Sequence, residues 1–125
     1  MPHSLRLVKD EAFYRKQKEE GKLQNLCAVT SIKEFPGCRI IPNAFPYTKV
    51  ISSTGSHYMV IPKKPRGWKI DRLVMWWGIQ RIEKEYQPDL HIFKNPTYRQ
   101  SIPSICHYHL IFFERDPFGY FVNNS

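Results

Sequence analysis

The sequence predicts an α+β domain: a mainly antiparallel sheet accompanied by an N-terminal helix and one long central helix. Three observations predict it. Short apolar runs recur at 26–33, 38–42, 57–62, 90–93 and 105–113, several alternating with period two. One longer stretch, 72–86, has helical length and lies between the third and fourth runs. The runs also lack the regular strand–helix–strand alternation that a parallel sheet demands.

Taken in order, residues 8–22 read as a polar helix with Val8, Ala12, Phe13 and Lys16 on one side and Gly21 near its end. Leu26 to Lys33 reads as a strand, with Ala28, Thr30 and Ile32 opposite Cys27, Val29 and Ser31. Phe35-Pro36-Gly37 is a turn signal, and Cys38 to Pro42 begins a second strand. His57 to Pro62 is a third, closed by the polar run Lys63-Lys64-Pro65-Arg66-Gly67.

Asp71 is the expected N-cap of the helix over 72–86. Leu73, Val74, Trp77 and Ile82 form its expected buried stripe, and Trp76 and Trp77 are expected in the core. Leu90–Phe93 and Ile105–Phe113 are the remaining strands. The aromatic tail, Phe118 to Phe121, is expected to pack back on the body or on a second subunit.

A chain of 125 residues with 42% hydrophobic content supports one core, so the whole of 1–125 is read as a single domain. Within it, 1–22 is the N-terminal helical segment, 23–113 the core and 114–125 the C-terminal tail. No apolar run reaches the roughly 20 residues of a membrane span, and the first residues lack a signal-peptide pattern. A cytoplasmic protein without a membrane partner is therefore expected. Cys27, Cys38 and Cys106 show no CxxC spacing, so free thiols are expected, with Cys106 in the core. The formal net charge of +8 favours polyanionic partners, nucleic acid among them.

The residues that carry chemistry lie in Cys106-His107-Tyr108-His109-Leu110-Ile111-Phe112-Phe113. Strand side chains alternate, so His107 and His109 share one face while Tyr108, Leu110 and Phe112 take the other. Paired imidazoles are able to attack phosphorus, relay a proton or bind a metal. The structural alternative is a half-exposed strand whose histidines merely face solvent. His91 is expected to be such a surface histidine, and Lys63-Lys64 a solvated strand end. No third ligand at a diagnostic spacing accompanies the pair, so neither a metal nor another cofactor is expected.

Four segments in order resemble the histidine triad (HIT) superfamily of nucleotide hydrolases and transferases over residues 23–113. His57-Tyr58-Met59-Val60-Ile61-Pro62-Lys63-Lys64 resembles the family's strand of histidine, apolar residues and a proline–lysine ending. Asn43-Ala44-Phe45-Pro46-Tyr47 resembles its asparagine-x-aromatic-proline-tyrosine segment. Asn95 and Gln100-Ser101-Ile102 follow, and then His107-Tyr108-His109-Leu110-Ile111 resembles the last two histidines of the His-x-His-x-His strand. The first triad position holds Ile105, and extra residues separate Tyr47 from His57.

The resemblance implies a HIT-like fold and a nucleoside phosphate substrate, with purines favoured. It implies that His107 attacks the α-phosphorus to form a nucleotidyl-histidine, and that His109 donates to a non-bridging oxygen. It further implies that His57 lies near the phosphate, Asn43 holds the ribose, and Asn95 and Ser101 contact the phosphate or leaving group. A homodimer is implied as well. Two other classes fit parts of the pattern. One is a non-catalytic nucleotide- or RNA-binding module, suggested by Ile105. The other is a HUH nuclease, which uses a His-hydrophobic-His pair on a divalent metal, although no tyrosine-x-x-lysine helix follows His109.

Overall fold

Five short strands build the sheet: β1 (Lys33–Phe35), β2 (Cys38–Pro42), β3 (Ser56–Pro62), β4 (Leu90–Phe93) and β5 (Tyr108–Phe112). They pair antiparallel throughout, in the order β1-β2-β3-β5-β4. The helices are α1 (Val8–Glu19), α2 (Trp68–Tyr86) and the short α3 (Tyr120–Asn123). This computed structural model describes residues 7–19, 26–44, 46–48, 51–94 and 105–123. The α+β class, the antiparallel sheet and the long central helix match the sequence reading.

Strand alternation divides the sheet into two unlike faces. Cys38, Ile40, Tyr58, Val60, Leu110 and Phe112 point to α2 and meet Met75, Ile79 and Ile82 in the main core. Ile41, Met59 and Ile61 point the other way, where Leu26 is buried and Val29 and Ile105 pack over them. His57, His109 and Ile111 belong to this second face by the same alternation.

The 26–33 segment corrects the sequence reading. Leu26–Ala28 is a single 3-10 turn, and strand pairing begins only at Lys33. The reason is local. Leu26 turns inward as a cap on the second face, and Arg39 supplies the donors that a strand neighbour would otherwise give. Its guanidinium donates to the Val29 carbonyl at 2.5 Å, to Ser31 Oγ at 3.0 Å and to the Leu26 carbonyl at 3.3 Å.

Helix α2 departs from expectation at its start and in its buried face. It begins at Trp68, and Asp71 lies inside the first turn. The buried Asp71 carboxylate accepts from the backbone N–H of Arg66 at 3.0 Å and of Gly67 at 3.3 Å, so it secures the entry by reaching backwards. The buried positions are Asp71, Met75, Gly78, Ile79 and Ile82. Of the expected stripe only Ile82 is core. Leu73, Val74 and Trp77 are exposed, and Trp76 and Trp77 are 57% and 59% exposed.

Gly78 explains why that face turns inward. A Cβ there would overlap Cys38 Sγ and the Pro36 carbonyl oxygen, so glycine lets α2 close onto the β1–β2 hairpin. The opposing turn residue Gly37 has φ 74° and itself lies against the Val74 carbonyl.

The tail packs on the body. Phe118 and Phe121 meet the Tyr58 ring edge-on at 5.0 and 5.2 Å. Asp116 accepts from the Tyr58 hydroxyl and, at 2.7 Å, from the Phe121 N–H. Burial and this carboxylate push the Tyr58 phenol well up. At the other end Thr48 accepts from the Leu7 N–H and donates to Asp10, tying α1 to the 46–48 segment at 2.8 Å in each case. No helix among the described residues is long and apolar enough to cross a membrane.

The close approach at Gly78 yields a stability prediction. Gly78→Ala should destabilise the fold by about 1–3 kcal/mol through overpacking, despite alanine's higher helix propensity. Urea unfolding measures it, and an unchanged or raised midpoint would contradict the contact.

Candidate active site

The second sheet face buries a polar cluster. In the β3–β5 register Met59 stands opposite His109 and His57 opposite Ile111, so His57 and His109 are diagonal neighbours. Diagonal pairs are within reach of ring side chains. Here His57 Nε2 and His109 Nδ1 are 2.8 Å apart. His57 is fully buried, and His107 and His109 are each 5% exposed. The outward-facing alternative for the pair therefore does not hold.

The partners of each ring assign its protons. The Tyr47 backbone N–H donates to His57 Nδ1 at 3.0 Å, so that nitrogen accepts. His57 Nε2 then carries the proton and donates to His109 Nδ1. His109 is left with an Nε2–H donor, 3.5 Å from the Tyr47 hydroxyl. The buried Asn43 amide nitrogen packs against His57 at 3.4 Å from Nδ1 and 3.3 Å from Nε2. Its backbone N–H donates to the His57 carbonyl at 3.1 Å. Tyr47 and Phe93 lie near-parallel to the His109 ring, with centroids at 5.1 and 5.0 Å, and fix its plane.

His107 has the opposite tautomer. Its Nδ1–H donates to the Ile105 carbonyl at 2.8 Å, leaving the lone pair on Nε2. Trp68 meets this ring edge-on with centroids 6.4 Å apart, and Lys94 Nζ lies 4.6 Å from the Trp68 ring centroid. Burial holds the His107 pKa below its ordinary value. The Ile105 hydrogen bond opposes that shift, and the Lys94 charge adds to it. The ring is thus kept neutral at neutral pH, with its electron pair on Nε2 and the His109 ring centroid 5.5 Å away.

Among the described side chains neither cysteine is an activated thiol. Cys38 and Cys106 are buried free thiols; burial pushes Cys38 up to about 11 and raises Cys106 as well. Among the described residues no group of three His, Cys, Asp or Glu is placed to hold a metal ion.

Of the six residues singled out in the sequence, Asn43, His57, His107 and His109 form one contiguous cluster. Asn95 and Ser101 lie outside the described residues. His91 is exposed, as are Lys63 and Lys64. The sequence reading gave no role to Tyr47, Phe93, Trp68 or Lys94. Tyr47 was present in the 43–47 segment, whereas the other three become neighbours of the histidines only through sheet register and the entry of α2.

No protein-family model matches the chain, and no curated protein sequence matches it. A solved structure described as the crystal structure of HTC1 is similar to it, with a TM-score of 0.57 and 16% identity. The likeness covers 95% of this chain and 84% of that one. At this identity the likeness shows the fold alone.

The buried, singly bonded His107 generates a titration prediction. In an NMR titration its ring should lose its proton below pH 6.5, and at pH 7 Nδ1 should bear the only ring proton. A pKa above 6.5, or the Nε2–H tautomer, would contradict this site.

Proposed function

We propose that the chain is a divergent HIT-like nucleotide hydrolase or transferase acting at the α-phosphate of a nucleoside phosphate. The observation that carries this reading is the His107–Ile105 bond. Its acceptor is a main-chain carbonyl, so isoleucine at the first triad position leaves the nucleophile's orientation intact. His57 meanwhile polarises His109 from the neighbouring strand.

In this scheme His107 Nε2 attacks the α-phosphorus as the bond to the leaving group breaks and its electron pair departs with that group. The His109 Nε2–H stabilises a non-bridging oxygen as charge gathers there. Water then attacks the nucleotidyl-histidine, the P–N bond breaks, and a nucleoside monophosphate leaves with His107 neutral again. Asn43 is assigned to the ribose hydroxyls, and purine nucleotides are the favoured substrates.

A homodimer belongs to the same reading. Ile70, Leu73, Val74 and Trp77 occur at i, i+3, i+4 and i+7 on α2 and are all exposed. A contiguous apolar stripe of this kind on a helix marks a contact surface, and we place a second copy of the chain on it. Sedimentation should show a dimer in the micromolar range that Leu73→Asp converts to monomer. A monomeric wild type at high micromolar concentration would remove the second copy.

Turnover tests the chemistry. With a panel of nucleoside phosphoramidates, dinucleoside polyphosphates and adenylylated or capped nucleic acids, His107→Ala should abolish nucleotide release while nucleotide affinity changes little. His109→Ala should slow release by about 10²–10³-fold, as for loss of one oxyanion-type donor. Binding without turnover in the wild type would instead identify a non-catalytic module, and metal-dependent DNA nicking a HUH nuclease.

A further inference from the structure

Tyr47 touches both ends of the imidazole pair. Its backbone N–H donates to His57 Nδ1 at 3.0 Å, and its hydroxyl lies 3.5 Å from His109 Nε2, at the far end of the same chain of bonds. Its ring centroid is 4.4 Å from that of His57 and 5.1 Å from that of His109. The 46–48 segment that carries it is closed by the Thr48 N–H, which donates to the Pro46 carbonyl at 3.0 Å, and is anchored to α1 through the Thr48 hydroxyl. Tyr47 is buried to nearly the same degree as His107 and His109. The tautomers decide what its hydroxyl does. His109 Nδ1 accepts from His57, so His109 Nε2 bears a hydrogen and offers the phenol no lone pair. The phenolic hydrogen is therefore not given to His109. A separation of 3.5 Å is long for a hydrogen bond between the two groups. It suits two donors that converge, because one oxygen fits at about 2.8 Å from each. Ile105 gives the site a carbonyl acceptor and no side-chain donor.

We infer that the Tyr47 hydroxyl and the His109 Nε2–H form a two-donor oxyanion site, and that Tyr47 is a catalytic residue that holds the same non-bridging phosphate oxygen as His109. This rests on the nucleotidyl transfer proposed above. As the bond from His107 Nε2 to phosphorus forms and the bond to the leaving group breaks, charge gathers on the non-bridging oxygens, and one of them accepts from both Tyr47 and His109. Neither donor gives up its proton, so both stand in their starting state after each half of the reaction. Phosphate oxygen is a stronger acceptor than a neutral phenol, so the long contact between His109 and Tyr47 opens in favour of two short ones. The single residue that sets the His57 tautomer through its backbone thus supplies the second donor through its side chain.

Tyr47→Phe tests the site, because it keeps the ring and the backbone N–H and removes one oxygen. It should lower kcat about 10²-fold while AMP affinity changes less than about threefold. Adenosine with orthovanadate, which copies the five-coordinate phosphorus, should bind the variant about 10²-fold more weakly than the wild type. Sulfur is a poor acceptor, so of the two α-thio diastereomers of a substrate the wild type should prefer the one that keeps oxygen between Tyr47 and His109. That preference should shrink about tenfold in Tyr47→Phe, a change that a packing role would not produce. Incorporation of 3-fluorotyrosine at position 47 restores the donor and should return kcat to within about twofold of wild type. An unchanged diastereomer preference, or adenosine–vanadate binding indifferent to the Tyr47 hydroxyl, overturns the two-donor site. Absent turnover in the wild type with adenosine–vanadate binding that depends on that hydroxyl overturns the nucleotidyl transfer and leaves the oxyanion site standing.

Discussion

The register of β3 against β5 is the constraint on which the rest of the site depends. With Met59 opposite His109, His57 falls on the diagonal, and the two imidazoles meet at 2.8 Å. A slip of one residue in either strand would send that strand's histidines through the sheet to the α2 side. That side is closed to them. Tyr58, Val60, Leu110 and Phe112 already fill it against Met75, Ile79 and Ile82. The hydrophobic demand of one face therefore sets the polar geometry of the other, and Gly78 makes that demand strict by bringing α2 close to the hairpin.

The cluster's four buried polar side chains, Asn43, His57, His107 and His109, need partners, because an unsatisfied buried group costs about 1–3 kcal/mol. The cluster meets this need in one direction. Tyr47 N–H donates to His57, His57 to His109, and His109 carries its proton on Nε2, 3.5 Å from the Tyr47 hydroxyl. His107 is satisfied separately, through the Ile105 carbonyl. The polarity of the two rings is thus opposite: one presents a lone pair and the other a proton. Both states arise from backbone contacts and register.

This division explains what the sequence could disclose. Period two was legible in β3 and β5 because both strands are clamped between layers, so His57, His107 and His109 were assigned to one face from alternation and resemblance together. Asn43 was legible only within its segment. The 26–33 segment alternates equally well, yet Arg39 claims its carbonyls and Leu26 serves as a cap, neither of which leaves a local trace. Hydropathy points to the wrong face of α2 for a related reason. Hydrophobicity ranks Leu73, Val74 and Trp77 above Gly78 and Asp71, whereas close approach to Cys38 and the backward bonds of Asp71 decide which side goes in. Lys94 and Trp68 are 26 residues apart in sequence, and only the end of β4 and the start of α2 bring them to His107.

The excess positive charge then takes on a local meaning. Spread along the sequence it reads as a general preference for polyanions, but in the fold the five cations from Lys63 to Arg72 are all exposed, Lys94 rests on Trp68, and its charge acts on His107. A cation near an imidazole disfavours its protonated form and so favours the neutral His107 ring. Burial reinforces this effect, since charges in a poorly solvated setting are screened less than at the open surface. The fold turns the only carboxylate of 63–72, Asp71, inward to close the start of the helix.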